Sequence, residues 1–425
     1  MENHLSPVVS ISLLYKIGTA DDPSDLVGIS HFLEHLMFKG TKNLPIGEFT
    51  KRIVAKGGSI NAFTTPDMTC YTCDIAKAHL PMILEFEADR MQNLIFDEKE
   101  TLSEQKVVVE ERKMRLDNHP LGAAHETVLK ALHKYHPYSI PTIGYPQHIS
   151  AYTNDNAKEH YKKWYAPNNA VLIISGDVTL DELQPLVEKY FAGIPQSKLP
   201  ERLRPQDPIE VGTQQSLRIE SPRVSYVTLD WYYPGPRYVG GKIDDLYSLS
   251  ILTQILGGDD TSRLYEDLVD KRHLVLDVHM SNDVGIDPQH IELSVTLHPE
   301  HKPLEVRRAI EKHVRQMVSK GITQEELIAA KRDILADLAF SRDGNSGAIK
   351  AFQNVAYGFT VDDIESYADR INAVTLDQVN VAAKTYLSGR PVVFTEIYPT
   401  GHGLAHEGDL EDAGDVGHGQ GQAIR

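Results

Sequence analysis

Two histidines and a glutamate in the stretch Gly28-Ile29-Ser30-His31-Phe32-Leu33-Glu34-His35-Leu36-Met37-Phe38 are the residues best spaced to do chemistry. On a helix His31 and His35 lie one turn apart on one face, and Glu34, three on from His31, falls on the same side. Two imidazoles and a carboxylate then converge on one point. Phe32, Leu33, Leu36 and Met37 supply apolar surface able to bury the helix, and Ser30 or Asp25 stands where a cap is needed. Buried polar groups need partners, and one divalent cation satisfies all three. The pattern H-x-x-E-H is short: with 19 His and 60 acidic residues among 425, a shuffled chain shows it about 0.12 times. Support must come from elsewhere in the chain.

A zinc hydrolase uses three protein ligands and leaves a fourth position open, so a third donor is required. Residues 102–114 (LSEQKVVVEERKM) read as a second helix carrying Glu104, Glu110 and Glu111. Glu104 and Glu111 are two turns apart and share a face, whereas Glu110 is rotated by about 100° and reads as a solvated charge. Glu111 is therefore the candidate third ligand. Glu104 joins the catalytic group as the acceptor that orients a ligand histidine.

The elements that must position these helices come in duplicate. Ile149-Ser150-Ala151-Tyr152-Thr153-Asn154-Asp155 is echoed by Ile371-Asn372-Ala373-Val374-Thr375-Leu376-Asp377, and Trp164 is echoed by Tyr386 before a second apolar run. Asp97 and Thr323 stand as paired N-cap candidates. Each half reads as an opening strand (8–16; 225–233), helices, a central strand region (59–75; 291–297), long amphipathic helices and a closing strand. This is an α+β fold of two similar domains, each a mainly antiparallel sheet packed with helices. The expected divisions are 1–195 for the candidate catalytic domain, 196–211 for a proline-rich linker, 212–400 for a degenerate copy, and 401–425 for a disordered tail. In that tail His402, His406 and His418 read as solvated.

A formal net charge of −17 argues against nucleic-acid binding. No apolar run is long enough to span a bilayer. The opening MENHLSPVVSISLLYKIG lacks a basic segment before a short apolar one, so no intact export signal is expected there. Cys70 and Cys73, three apart in an alternating strand pattern, are expected on opposite faces rather than in a redox or metal pair.

His31 to His35 with Phe38, Gly40 and Thr41, then Gly57-Gly58-Ser59-Ile60-Asn61-Ala62-Phe63-Thr64, then Glu104 to Glu111 and Asp117 to Pro120, together resemble the pitrilysin or insulinase family of zinc metallopeptidases, whose motif is inverted from H-E-x-x-H. The resemblance runs from residue 8 to about residue 399 and suits the branch that includes mitochondrial processing peptidase and bacterial two-subunit relatives. It implies that His31, His35 and Glu111 bind Zn2+ and that Glu34 is the general base for zinc-bound water attacking the scissile carbonyl. It also implies that the edge strand from Ser59 to Thr64 pairs with extended substrate, with Ser59, Asn61, Ala62 and Phe63 as substrate-binding residues and Asn61 and Ala62 nearest the scissile bond.

The resemblance breaks in the second half. Members that act alone, and one subunit of those that act in pairs, carry an Arg and a Tyr in a segment like R-x-x-R-G-L-A-Y; here those positions fall on Val269 and Leu276. Arg263 and Tyr265 stand nearby but read as structural. Where a second metal motif would stand the chain reads Leu252-Thr253-Gln254-Ile255-Leu256-Gly257-Gly258. The expectation is a zinc endopeptidase for peptides or unfolded polypeptides in a closed chamber, completed by a homologous subunit that supplies the Arg/Tyr pair as a heterodimer. Bacterial relatives of this paired type are often exported, which points to the periplasm, with the cytoplasm as the alternative. The rival reading is a non-catalytic structural or chaperone-like core subunit of the same fold; the intact His31, Glu34, His35 and Glu111 argue against it.

Overall fold

The computed structural model describes residues 1–202, 204, 214–342 and 344–401. Half of the expected linker, and all of the expected tail beyond residue 401 with its three histidines, lie outside the described residues. The first half contains β1 (Val8–Tyr15), α1 (Ile29–Leu36), α2 (Glu48–Val54), β2 (Ser59–Thr64), β3 (Thr69–Ala76), α3 (Leu80–Gln92), α4 (Glu98–Arg112), α5 (Gly122–Leu132), α6 (Pro146–Ile149), α7 (Asn154–Trp164), β4 (Ala170–Gly176) and α8 (Leu180–Phe191). Its sheet has the order β2-β3-β1-β4, all antiparallel, with Leu13 opposite both Tyr71 and Leu172. Alternation puts Cys70 beside Leu14 and Met68 on one face and Cys73 beside Val9 and Ile11 on the other, both as free thiols.

The second half contains β5 (Gln215–Ser221), β6 (Thr228–Pro234), α9 (Ile243–Thr253), β7 (Val275–Asn282), β8 (His290–Leu297), α10 (Pro303–Lys320), α11 (Gln324–Ser341), α12 (Asn345–Phe352), α13 (Val361–Glu365), α14 (Tyr367–Ala373), α15 (Leu376–Leu387) and β9 (Val393–Pro399). Its sheet has the order β5-β9-β6-β8-β7. The strand expected first in this half is β6; β5 precedes it and runs parallel to β9. Sequence alternation alone does not announce β5, because its seven residues QSLRIES are mostly polar and half exposed.

The echoed motifs become equivalent structure. Thr153 and Thr375 each close a capping box, with Asn156 and Gln378, at the start of α7 and α15. Trp164 and Tyr386 are buried near the ends of those helices, which lead into β4 and β9. Asp97 accepts from the Glu100 amide and Thr323 from the Glu326 amide, capping α4 and α11 as expected. Each half has its own main apolar core, and smaller clusters join the two, Val128 and Leu132 with Tyr232 and Val393, and Leu14 and Cys70 with Ala356. The halves also meet at a buried charge network in which Arg204 contacts Asp21 (2.7 Å), Asp67 (2.5 Å) and Asp287 (3.3 Å). Among the described residues no helix is long and apolar enough to cross a membrane.

Candidate metal centre

α1 carries the three clustered residues, and its start is set by a close approach. Gly28 sits at φ +93°, and a Cβ there would meet the Gly144 Cα at 2.6 Å, so only glycine fits. The cap is not Ser30 or Asp25 but Asp22, whose carboxylate accepts from the Gly28 amide (2.7 Å), the Ser30 amide (3.2 Å) and the Ser30 hydroxyl (2.5 Å). Ser30 already lies inside the first turn, and Asp25 is exposed, so neither side chain meets the free amides. Phe32, Leu33, Leu36 and Met37 pack into the core with Leu13, Tyr71 and Tyr152, which turns the polar face toward α4.

His31 and Glu34 are 6% and 7% exposed. The Glu111 Oε2 atom of α4 lies 3.1 Å from His35 Nε2 and 3.7 Å from His31 Nε2. The three ligand atoms of His31, His35 and Glu111 lie within 4.8 Å of one another. Zinc bonds of about 2.0–2.2 Å in a tetrahedron put neighbouring donors about 3.4 Å apart, so this donor set fits the ion. Glu111 Oε2 is moreover buried without a well-directed hydrogen-bond donor, a state costly for an acceptor unless a cation faces it.

Electrostatics agree. Burial and the neighbouring His35 push His31 down to about 3. Burial also acts to lower His35, but the Glu104 and Glu111 carboxylates beside it raise it to about 9. In the absence of an ion His35 thus holds a proton beside the carboxylates, and a cation bound at Nε2 displaces it. Around this centre His35 Nδ1 bonds Glu104 Oε1 at 2.9 Å, Glu104 pairs with Lys39, and the other Glu111 oxygen pairs with Arg115 Nε at 2.9 Å. Burial opposes ionisation of Glu104 and Glu111, yet these partners hold both below the ordinary carboxylate range. Glu110 is exposed and pairs with Lys113. Burial raises Glu34, and a 2.5 Å hydrogen bond from the Thr64 hydroxyl pulls it back.

A cavity of about 950 Å³ opens onto the centre, lined from the first half by His31, Glu34, His35 and β2, and from the second by Asp283, Gln289, His290 and Tyr357. Asn61, Ala62 and Phe63 line it, and among the described residues β2 pairs only with β3, leaving its outer edge free. Ser59, at the far end of β2 beside Asp74, lines a separate cavity of about 450 Å³. In the second half Val269 packs against the core and Leu276 is 42% exposed on β7, so neither offers a polar group. Arg263 is tied to Glu326 and the Gly321 carbonyl. Sequence reading assigned no role to Lys39 or Arg115, and to Thr64 only its place at the end of the edge strand. The i+4 spacing of Arg115 from Glu111 was a usable signal; the partner of Thr64 is set by tertiary packing.

Residues 1–145 match the family described as Insulinase (Peptidase family M16), and residues 151–334 match Peptidase M16 inactive domain. The zinc protease PqqE of Helicobacter pylori is 32% identical over 341 residues, covering 79% of this chain and 76% of that one. The crystal structure of a protease from Helicobacter pylori is similar with a TM-score of 0.84 at 27% identity, covering 94% of this chain and 96% of that chain. The periplasmic protease PqqL of Escherichia coli has a TM-score of 0.77 at 16% identity and is covered over 45% of its length by 92% of this chain.

Proposed function

The chain belongs to the insulinase (M16) family of peptidases, and from that membership we propose that it is a zinc-dependent endopeptidase in which His31, His35 and Glu111 hold the ion. The observation that carries this reading is the convergence of those three donors, from two helices, within 4.8 Å. Zinc bound there supplies Lewis acidity, which acidifies a water molecule and polarises a peptide carbonyl. Glu34, beside that point and poised upward by burial, accepts the proton of the attacking water and delivers it to the departing amide nitrogen. Glu104 fixes the orientation of His35 through its Nδ1 hydrogen bond. The free edge of β2 holds the substrate backbone in extended form, with Asn61 and Ala62 nearest the scissile bond and Ser59 and Phe63 flanking.

The substrates are peptides or unfolded polypeptides, since a cavity of about 950 Å³ excludes folded domains. A second, homologous subunit supplies an Arg and a Tyr where Val269 and Leu276 stand here, and the two close into a chamber. The PqqL chain, about twice the length matched here, supports such a pairing of halves, and its description as periplasmic supports the periplasm as the site of action. Peptide turnover by Glu34→Gln protein with its metal content measured in parallel tests the reading. Zinc should stay while turnover falls about 100- to 10,000-fold; unchanged turnover overturns the assignment.

A further inference from the structure

We propose that Thr64 is a positioning residue that ties the general base to the substrate-binding edge strand. The inference rests on the peptidase reading above and adds a residue to it. Thr64 is the last residue of β2, and alternation places it with Ile60 and Ala62 on the face turned to α1, with Ser59, Asn61 and Phe63 on the other. Its hydroxyl donates to Glu34 Oε2 at 2.5 Å. That bond occupies one carboxylate oxygen of a nearly buried glutamate and stops the group from rotating, so the other oxygen is the one free to take a proton.

The donor is itself held firmly. Thr65 Oγ1 accepts from the Asp67 and Met68 amides, at 3.1 Å each, closing the turn between β2 and β3, and the Asp67 side chain is clamped by Arg204 at the seam of the two halves. Glu34 is therefore anchored on one side by its own helix and on the other by the strand along which the peptide lies. A backbone docked on the edge of β2 reports its position to the base through one hydroxyl. A base misplaced by a fraction of an ångström loses rate without losing substrate affinity.

Thr64→Val and Thr64→Ser separate the hydroxyl from the shape. Valine keeps the branched outline and suits a strand, whereas serine keeps only the donor. For Thr64→Val we expect kcat lowered about ten- to a hundredfold, with KM and bound zinc within twofold of wild type, and for Thr64→Ser a kcat within a few fold of wild type. Crystal structures of both variants give a readout independent of turnover: the Glu34 carboxylate should keep its place in Thr64→Ser and lose its fixed orientation in Thr64→Val. An undiminished kcat in Thr64→Val, a Thr64→Ser protein as slow as Thr64→Val, or a Glu34 carboxylate unmoved in Thr64→Val overturns the proposal. If wild type itself hydrolyses no peptide, the peptidase reading fails on its own, and the position of Glu34 still decides the role of Thr64.

Discussion

The two halves of the chain are the same scaffold put to opposite uses. Residues 1–3 pair in parallel with Gly176 at the end of β4, so the first half reads, from that edge, N-terminus-β4-β1-β3-β2. The second reads β5-β9-β6-β8-β7, the same order with the same parallel neighbour at the same edge. At the place of α1 the second half carries α9 and the turn after it, where Leu249, Ile251, Leu252, Ile255 and Leu256 are buried instead of His31 and Glu34. On α11, counted from its cap, Ala330 and the exposed Asp337 stand where α4 has Glu104 and Glu111. The second half closes its core with apolar groups, which need no partner. The first places two imidazoles and three carboxylates there that do, with His31, Glu34 and Glu104 buried and His35 and Glu111 half-buried.

That difference makes the halves respond unequally to chelation. Removing the ion leaves the donors of α1 and α4 to one another and withdraws about 3 to 4 kcal/mol of linkage stabilisation at saturating metal. Hydrogen exchange should then speed up across Ile29–Leu36 and Glu98–Arg112 and stay unchanged across Ile243–Thr253. Equal loosening of both halves, or of neither, breaks the comparison.

What the sequence made legible was local. Spacing alone brought His31, Glu34 and His35 to one helix face and Glu104 and Glu111 to another, and the caps at Asp97 and Thr323 stand where their residue types predict. The duplication was legible because the approach to α7 and α15 repeats within seven residues, Ile149 to Asp155 and Ile371 to Asp377. What stayed hidden depends on chain segments meeting across many residues. Asp22 reaches forward over a loop to cap α1, Thr64 meets Glu34 only once β2 is docked, β5 needs β9 to be a strand, and Arg204 finds its three carboxylates only when the halves close.

A smaller contrast concerns pH. In the first half burial pushes His133 and His160 down to about 3. The unfolded chain takes up protons below the ordinary value of 6.5 that the folded chain refuses, so stability is full above pH 6.5 and falls as pH drops toward 3. In the second half burial raises Glu292 to about 7 against an ordinary 4.5. Its contribution is present below pH 4.5 and is lost as pH rises to 7. Exchange rates corrected for intrinsic chemistry at pH 5 and 7.5 should show α7, which carries His160, looser in acid by on the order of 1 kcal/mol, whereas on β8 the lowered His290 and the raised Glu292 oppose each other. An α7 that loosens in acid no more than β8 does would remove this distinction.

The central claim is that one ion is gripped by donors from two distant helices of the first half alone. Metal analysis of the purified chain beside its Glu111→Gln variant tests it most directly: wild type should carry one zinc per chain and the variant almost none, with the second half unaffected. A variant that keeps its full complement of zinc, or a wild type that binds none under saturating conditions, would contradict it.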